Sequence, residues 1–339
     1  MSSSPRDNAA FDGEEELRTD VRVAIELALE DVLDSGEYRD ITRVEEEKLT
    51  HFAIRDLGLE LTHSWYLAGV STIANANPDT RSQMHTGPSF GSLNADQPVD
   101  DQVKELRDYF ASEEFFLGYS LRDIWFTDKF DFLRDYYGEL APDKYRELYI
   151  HSLDLREQLW NLTDRLETDQ KNASLRDFGG GSTTGLIDRS TENEFRYSVS
   201  DFHMDLAEID ELTWLKKDVA RSTNMLERIY SKLTQLDSAS LEQKMLLDEM
   251  HDYFYNYVWR YPALAISAET AKGPNADALN RRRLIELDGF DKRLSAEIEN
   301  LNDQLRQLGL LPGIDEPVSN DFDKSAYLHS IIKESVDTR

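Results

Sequence analysis

Two spacings in this chain of 339 residues have the form of metal-ligand pairs. Glu60-x-x-His63 sets a carboxylate and an imidazole three residues apart, and Asp248-x-x-His251 repeats the arrangement. On a helix, groups at i and i+3 share one face, and di-metal carboxylate bundles combine such pairs with further carboxylates from other helices. A metal-dependent helical-bundle enzyme using Glu60, His63, Asp248 and His251 is one reading that follows. The competing reading is plainer: seven histidines are present, and an exposed or singly bonded imidazole is the commoner fate. Glu60 and His63 also follow Gly58, where the pattern ends a helix, so the expectation is no metal and no cofactor. Asp201, Asp205 and Glu208 lie beside His203 and read as the acidic start of a helix, where the dipole favours carboxylates.

Other constellations suggest contact rather than catalysis. Tyr253-Phe254-Tyr255-Asn256-Tyr257-Val258-Trp259-Arg260-Tyr261 is the most aromatic run. A helix apolar all round is normally interior; the sharper alternative makes Tyr253, Tyr257, Trp259, Arg260 and Tyr261 an interaction surface, since exposed Tyr, Trp and Arg anchor interfaces. Arg281-Arg282-Arg283 is the one basic triplet and, with Arg43, Lys48 and Arg55, supplies the candidate nucleic-acid contacts. Arginines there can equally pair with acids on a neighbouring helix. No G-x-S-x-G, H-E-x-x-H, G-x-G-x-x-G or Walker pattern occurs, so the common hydrolase, dinucleotide and nucleotide-phosphate classes lose their usual support. The run Gly179 to Gly185 lacks the Gly-Lys-Ser/Thr of a phosphate loop and reads as a linker.

Charge limits the partners. Asp and Glu number 67 against 38 Lys and Arg, a net charge of -29, and the acids are spread through every segment. Spread acid with Arg in preference to Lys resembles proteins of salt-in halophiles. Such a surface repels itself in dilute buffer and is screened at 1 M salt, where the Debye length is ~3 Å. The same balance disfavours DNA, which binds through clustered cations. No Cys is present, which excludes disulfides and thiolate chemistry. The N-terminus lacks a signal-peptide pattern, and no apolar run approaches the ~20 residues of a membrane span. The expectation is a cytoplasmic chain with no membrane contact, a protein partner and self-association.

The elements that would carry these residues are helices. Leu212, Val219, Leu226 and Leu233 fall seven apart, with Leu215, Ile229 and Leu236 at the alternate position and Ser222 the one polar member. That spacing predicts a coiled-coil seam over 205–236. Tyr145, Ser152, Leu159 and Leu166 with Leu148, Leu155 and Leu162 predict another, and Leu284, Asp291, Ile298 and Leu305 with Leu287, Leu294, Leu301 and Leu308 a third. At the acidic intruder Asp291, Gly289 should let the stripe shift so that Phe290 is buried and Asp291 exposed. Thr42 or Asp40 should cap a helix ending at Gly58, Pro142 should open one, and Pro262 should kink or stop another. The expected fold is all-α: a small N-terminal helical domain over 1–72, a linker over 73–102, an elongated antiparallel coiled-coil or helical-bundle body over 103–308 with a flexible insert at 177–193, and a tail over 309–339 with a short helix.

Residues 44–69, read in the block EEEKLTHFAIRDLGLELTHSWYLAGVS that begins at Glu45, resemble the small winged-helix-like helical domains of the Panacea type and their archaeal relatives. The matching residues are Lys48-Leu49, Phe52, Trp65-Tyr66 and Gly69. Glu47 stands where those domains carry Gln, and Leu67-Ala68-Gly69 where they carry Tyr-Gly-Pro. The resemblance implies a DNA-binding regulator with residues 13–70 as reader and the body as dimeriser. The residues themselves favour a non-catalytic interaction, scaffold or regulatory protein adapted to high salt.

Overall fold

Capping side chains set most of the helix starts. The computed structural model describes residues 12–72, 100–112, 117–162 and 185–311. A 3-10 turn leads into α1 (Glu15–Val32), followed by α2 (Arg43–Leu57). Thr42 caps α2 in a reciprocal box with Glu45, and Gly58 ends it at φ 68°, the left-handed conformation that glycine adopts without strain. After Gly58 comes an antiparallel hairpin, β1 (His63–Tyr66) with β2 (Gly69–Thr72), in the register His63 opposite Thr72. Then come α3 (Asp101–Phe110), α4 (Leu121–Phe126), α5 (Lys129–Leu140), α6 (Arg146–Trp160) and α7 (Arg189–Glu208). After them run α8 (Lys216–Leu233), α9 (Leu241–Tyr253), a π-helical segment (Phe254–Trp259), α10 (Arg260–Glu269), α11 (Ala276–Leu287) and α12 (Phe290–Gln307). The expected linker beyond Thr72, most of the insert and the tail helix lie outside the described residues.

One buried cluster runs from Val21 to Leu311. It takes Ala24, Ile25 and Leu29 from α1, Leu49 and Phe52 from α2, and Trp65 and Val70 from the hairpin, together with residues of the later helices. The seam residues join it: Leu148, Leu155, Leu212, Leu215, Val219, Leu226, Ile229, Leu233, Leu294, Ile298, Leu301 and Leu305 are all buried. Burying a leucine is worth about 1.5–3 kcal/mol, so these positions hold the helices together as the spacing implied.

The continuity of the predicted helices fails in several places. The stretch over 205–236 is not one helix: Ile209 is extended, Asp210–Leu215 is 3-10, and α8 begins at Lys216. Ile209, whose carbonyl accepts from Leu212 N–H at 2.9 Å, Leu212 and Leu215 recur every third residue and are buried, as the 3-10 repeat requires. Gly289, at φ 73°, divides the last seam into α11 and α12, leaving Phe290 buried, Asp291 exposed and Leu284 outside the core. Gly138 does not stop α5, and Pro142 lies in the turn before α6, its carbonyl accepting Tyr145 N–H at 2.8 Å. Residues 189–193, expected in the flexible insert, form the first turns of α7 with Asp188 as cap. Pro262 does not stop the chain either. The helix widens to π just before it, which accommodates the missing proline N–H, and α10 continues. Leu241 and Met245 are exposed; Gln243 takes the inner position of that turn and donates to Leu308 O at 2.7 Å.

Candidate functional site

Three helical segments converge on the hairpin turn. The carbonyls of Tyr66, Leu67 and Val70 point into the core, where no water competes for them, and each receives a side-chain donor. Tyr149 Oη of α6 donates to Tyr66 O at 2.8 Å, Trp259 Nε1 of the π segment to Leu67 O at 2.6 Å, and Lys48 Nζ of α2 to Val70 O at 2.8 Å. Gly69 sits between them at φ 96°, and a Cβ there would lie 2.7 Å from Tyr136 Cε1. Only glycine meets both conditions. The start of the hairpin is tied as firmly: His63 exchanges backbone bonds with Lys272, Ser64 Oγ meets Ser267 Oγ at 2.6 Å, and buried Glu14 accepts from Thr62 N, Thr62 Oγ1 and Asn275 Nδ2. The residues that carry the resemblance, Lys48, Trp65, Tyr66 and Gly69, are thus structural parts of this junction.

The junction's electrostatics are unusual for so acidic a chain. Lys48 is fully buried, and burial pushes its ammonium down to about 8 against the opposing pull of Glu47. His51 is pushed down to about 3, by burial first and then by Lys48, so the imidazole is neutral where its Nδ1 meets Tyr136 Oη at 2.6 Å. Burial raises the Tyr136 hydroxyl, which keeps its proton. Tyr255, in the π segment, lies under the Arg156 guanidinium at 4.4 Å. Single π turns inside α-helices recur at functional sites, and this one presents Tyr255 and Trp259 to the same junction. Arg156 was not singled out in the sequence. Tyr149, Leu153 and Arg156 share one face of α6 at helical spacing, but only the closure of Tyr137 and Tyr255 around the guanidinium makes the arginine interior.

The predicted site residues are placed differently. Tyr253, Trp259 and Tyr261 are buried, and Tyr257 and Arg260 half-buried, so the aromatic run is core instead of an interaction surface. Lys48 and Arg283 are buried and cannot touch a phosphate backbone. Arg43 pairs with Glu47 at 3.0 Å, Arg55 with Asp56, and Arg260, Arg282 and Arg283 all reach Glu286. Arg281 stays exposed. Glu60, His63, Asp248 and His251 do not converge: among the described residues no group of three or more acids or histidines could hold a metal ion. His63 Nδ1 meets Leu61 O, and His251 Nδ1 meets Asp252. The acids around His203 lie near the end of α7, not at its start, so the dipole does not explain them. Asp205 pairs instead with His151 at 2.6 Å, and that bond raises the imidazole's affinity for its proton.

A family model described as a domain of unknown function (DUF8098) matches residues 8–336. No curated protein matches the chain. No solved structure matches it either. Among the described residues no helix is long and apolar enough to cross a membrane.

Proposed function

For a chain that belongs to this family over nearly its whole length, we propose a non-catalytic interaction role: a helical protein adapted to concentrated salt that associates with a second copy of itself through α11. The observation that carries this reading is the outward face of that helix. Leu284 is 51% and Ile285 63% exposed, side by side, on a strongly acidic chain. Arg281 and Asp288 flank them seven residues apart, both exposed and neither in an ion pair among the described residues. Two copies of α11 laid antiparallel about the midpoint of Leu284 and Ile285 would set Leu284 against Ile285, and Arg281 opposite Asp288, twice. That is the self-complementary pattern of a two-fold interface. Of the six cations expected to meet DNA, Lys48 and Arg283 are buried and Arg43, Arg55 and Arg282 are paired with acids, which leaves Arg281 alone neither buried nor paired among the described residues and weighs against a nucleic-acid reader.

The contact is small. Each half-exposed aliphatic side chain contributes roughly 1–2 kcal/mol on burial, against an association cost of about 4–15 kcal/mol. Dimers should therefore form at high protein concentration, and in molar salt, where the repulsion between two strongly acidic copies is screened. Light scattering in molar KCl should show a concentration-dependent dimer for the wild type and a monomer for Ile285→Glu. Arg281→Asp should weaken the dimer, and adding Asp288→Arg should restore it. A wild type monomeric throughout, or an Ile285→Glu variant that still dimerises, would overturn the reading.

A further inference from the structure

The two arginines buried to about the same depth have different surroundings. Arg283 is 5% exposed, its Nε bonds Ser267 Oγ at 2.9 Å and its Nη1 reaches Glu286 at 3.2 Å. Arg156 is 4% exposed, has no ion pair among the described residues, and leaves Nε and Nη1 without any acceptor. A guanidinium cannot shed its proton, and an interior charge without a counter-charge is strongly disfavoured. The neighbours deepen the imbalance. Lys48 lies near enough for the guanidinium to disfavour its charge, and Lys129 on the outer side is pushed down to about 8 by burial and then by Arg156. The nearby carboxylates do not answer. Glu47 Oε1 is taken by Arg43 and Ser71, and the Asp252 side chain is 65% exposed.

A second buried donor without a partner lies in the same place. The Tyr137 hydroxyl is fully buried close to the Arg156 guanidinium, yet not in hydrogen-bond geometry with it or with any other group among the described residues. Tyr255 covers one face of the guanidinium, and His251 stacks parallel to that ring with centroids 6.3 Å apart. Trp160 meets His251 edge-on at 4.9 Å, and Lys129 Nζ lies 3.2 Å from the Trp160 ring, so a cation stands on the side of this group nearest solvent.

We propose that the protein holds a small inorganic anion of halide size between Arg156 and Tyr137, with Arg156 Nε, Arg156 Nη1 and the Tyr137 hydroxyl donating to it. The enclosure sets the size: Tyr137, Arg156 and His251 are each at most 4% exposed, which leaves no approach for an organic acid. The bound charge offsets Arg156 and satisfies donors that the fold otherwise leaves unmet. This site is independent of the surface on α11, so either can fail without the other.

Chloride is the probe. It is titrated into protein held in potassium glutamate at constant ionic strength, glutamate being too large to enter, and the melting temperature and the chloride NMR line width are followed. A saturable rise in melting temperature and a broadened line are expected for the wild type. Tyr137→Phe removes only an unpartnered hydroxyl, so it should fold and need about five-fold more chloride or greater. Arg156→Met should lose the response. In crystals grown with bromide, the anomalous peak should lie within hydrogen-bond reach of Arg156. The proposal is overturned if chloride and glutamate give the same wild-type melting curve, or if Tyr137→Phe responds as the wild type does. Should Arg156→Met fail to fold, Tyr137→Phe and the bromide position decide it.

Discussion

Replacing Lys48 with Met tests whether the junction holds its charge at a cost. Lys48 is fully buried, its ammonium donates to Val70 O, and that ammonium is lowered from 10.5 to about 8. A fall of that size is worth about 3 kcal/mol of disfavoured protonation below pH 8. Because the folded value lies below the unfolded one, the unfolded chain binds more protons between about pH 8 and 10.5, and stability must rise with pH across that window. Methionine fills the space of the lysine stem without the charge. It leaves the Val70 carbonyl without the ammonium, a loss of about 1–3 kcal/mol. The two effects nearly cancel at pH 7, so the variant should lie within about 2 kcal/mol of the wild type there. The slope distinguishes them. Urea unfolding at fixed molar KCl, followed by helical circular dichroism from pH 7.5 to 10, should show the wild type gaining stability, and Lys48→Met gaining clearly less, the remainder belonging to Lys129. Identical pH profiles for the two proteins would refute the assignment of a charged, desolvated Lys48. A variant destabilised by more than about 4 kcal/mol would also refute it, by showing a paired ion whose removal strands a partner.

Gly69→Ala should cost several kcal/mol and lower the melting temperature sharply, because its Cβ would meet Tyr136 at 2.7 Å at a backbone angle of φ 96°; a stable Gly69→Ala would mean that the hairpin turn sits elsewhere. Phe290, 2% exposed, and exposed Asp291 should rank oppositely in a high-salt melt, with Phe290→Ala losing about 3–5 kcal/mol and Asp291→Leu changing little. The reverse ranking would place the stripe of α12 one residue away from where it is described.

The spacing of leucines in the sequence determined most of the buried seam positions, Leu284 excepted. Leu212, Leu226, Leu233, Leu294 and Leu305 are each at most 1% exposed, as their heptad positions required, since a helix has few ways to hide such a stripe. The sequence also carried the local stops: Thr42 and Ser240 as caps, Gly58 as a left-handed end, and Gly289 as the point where the last stripe moves from Asp291 to Phe290. These are contacts within a few residues, so local pattern is enough. Where the helices break was decided by tertiary structure. A heptad reads the same through Ile209 whether or not the chain bends there, and Pro262 stops a helix only if no π turn absorbs it. The junction was hidden for a stronger reason. Lys48, Tyr136, Arg156 and Tyr255 stand on four different elements, and nothing in their spacing says that they meet. A lysine on α2 reads as solvent-facing until a hairpin turns Val70 O toward it. An arginine after Leu155 reads as a helix flank until Tyr137 and Tyr255 close around it. Burial of a charge is a property of what surrounds it, and the surroundings come from residues a hundred positions away.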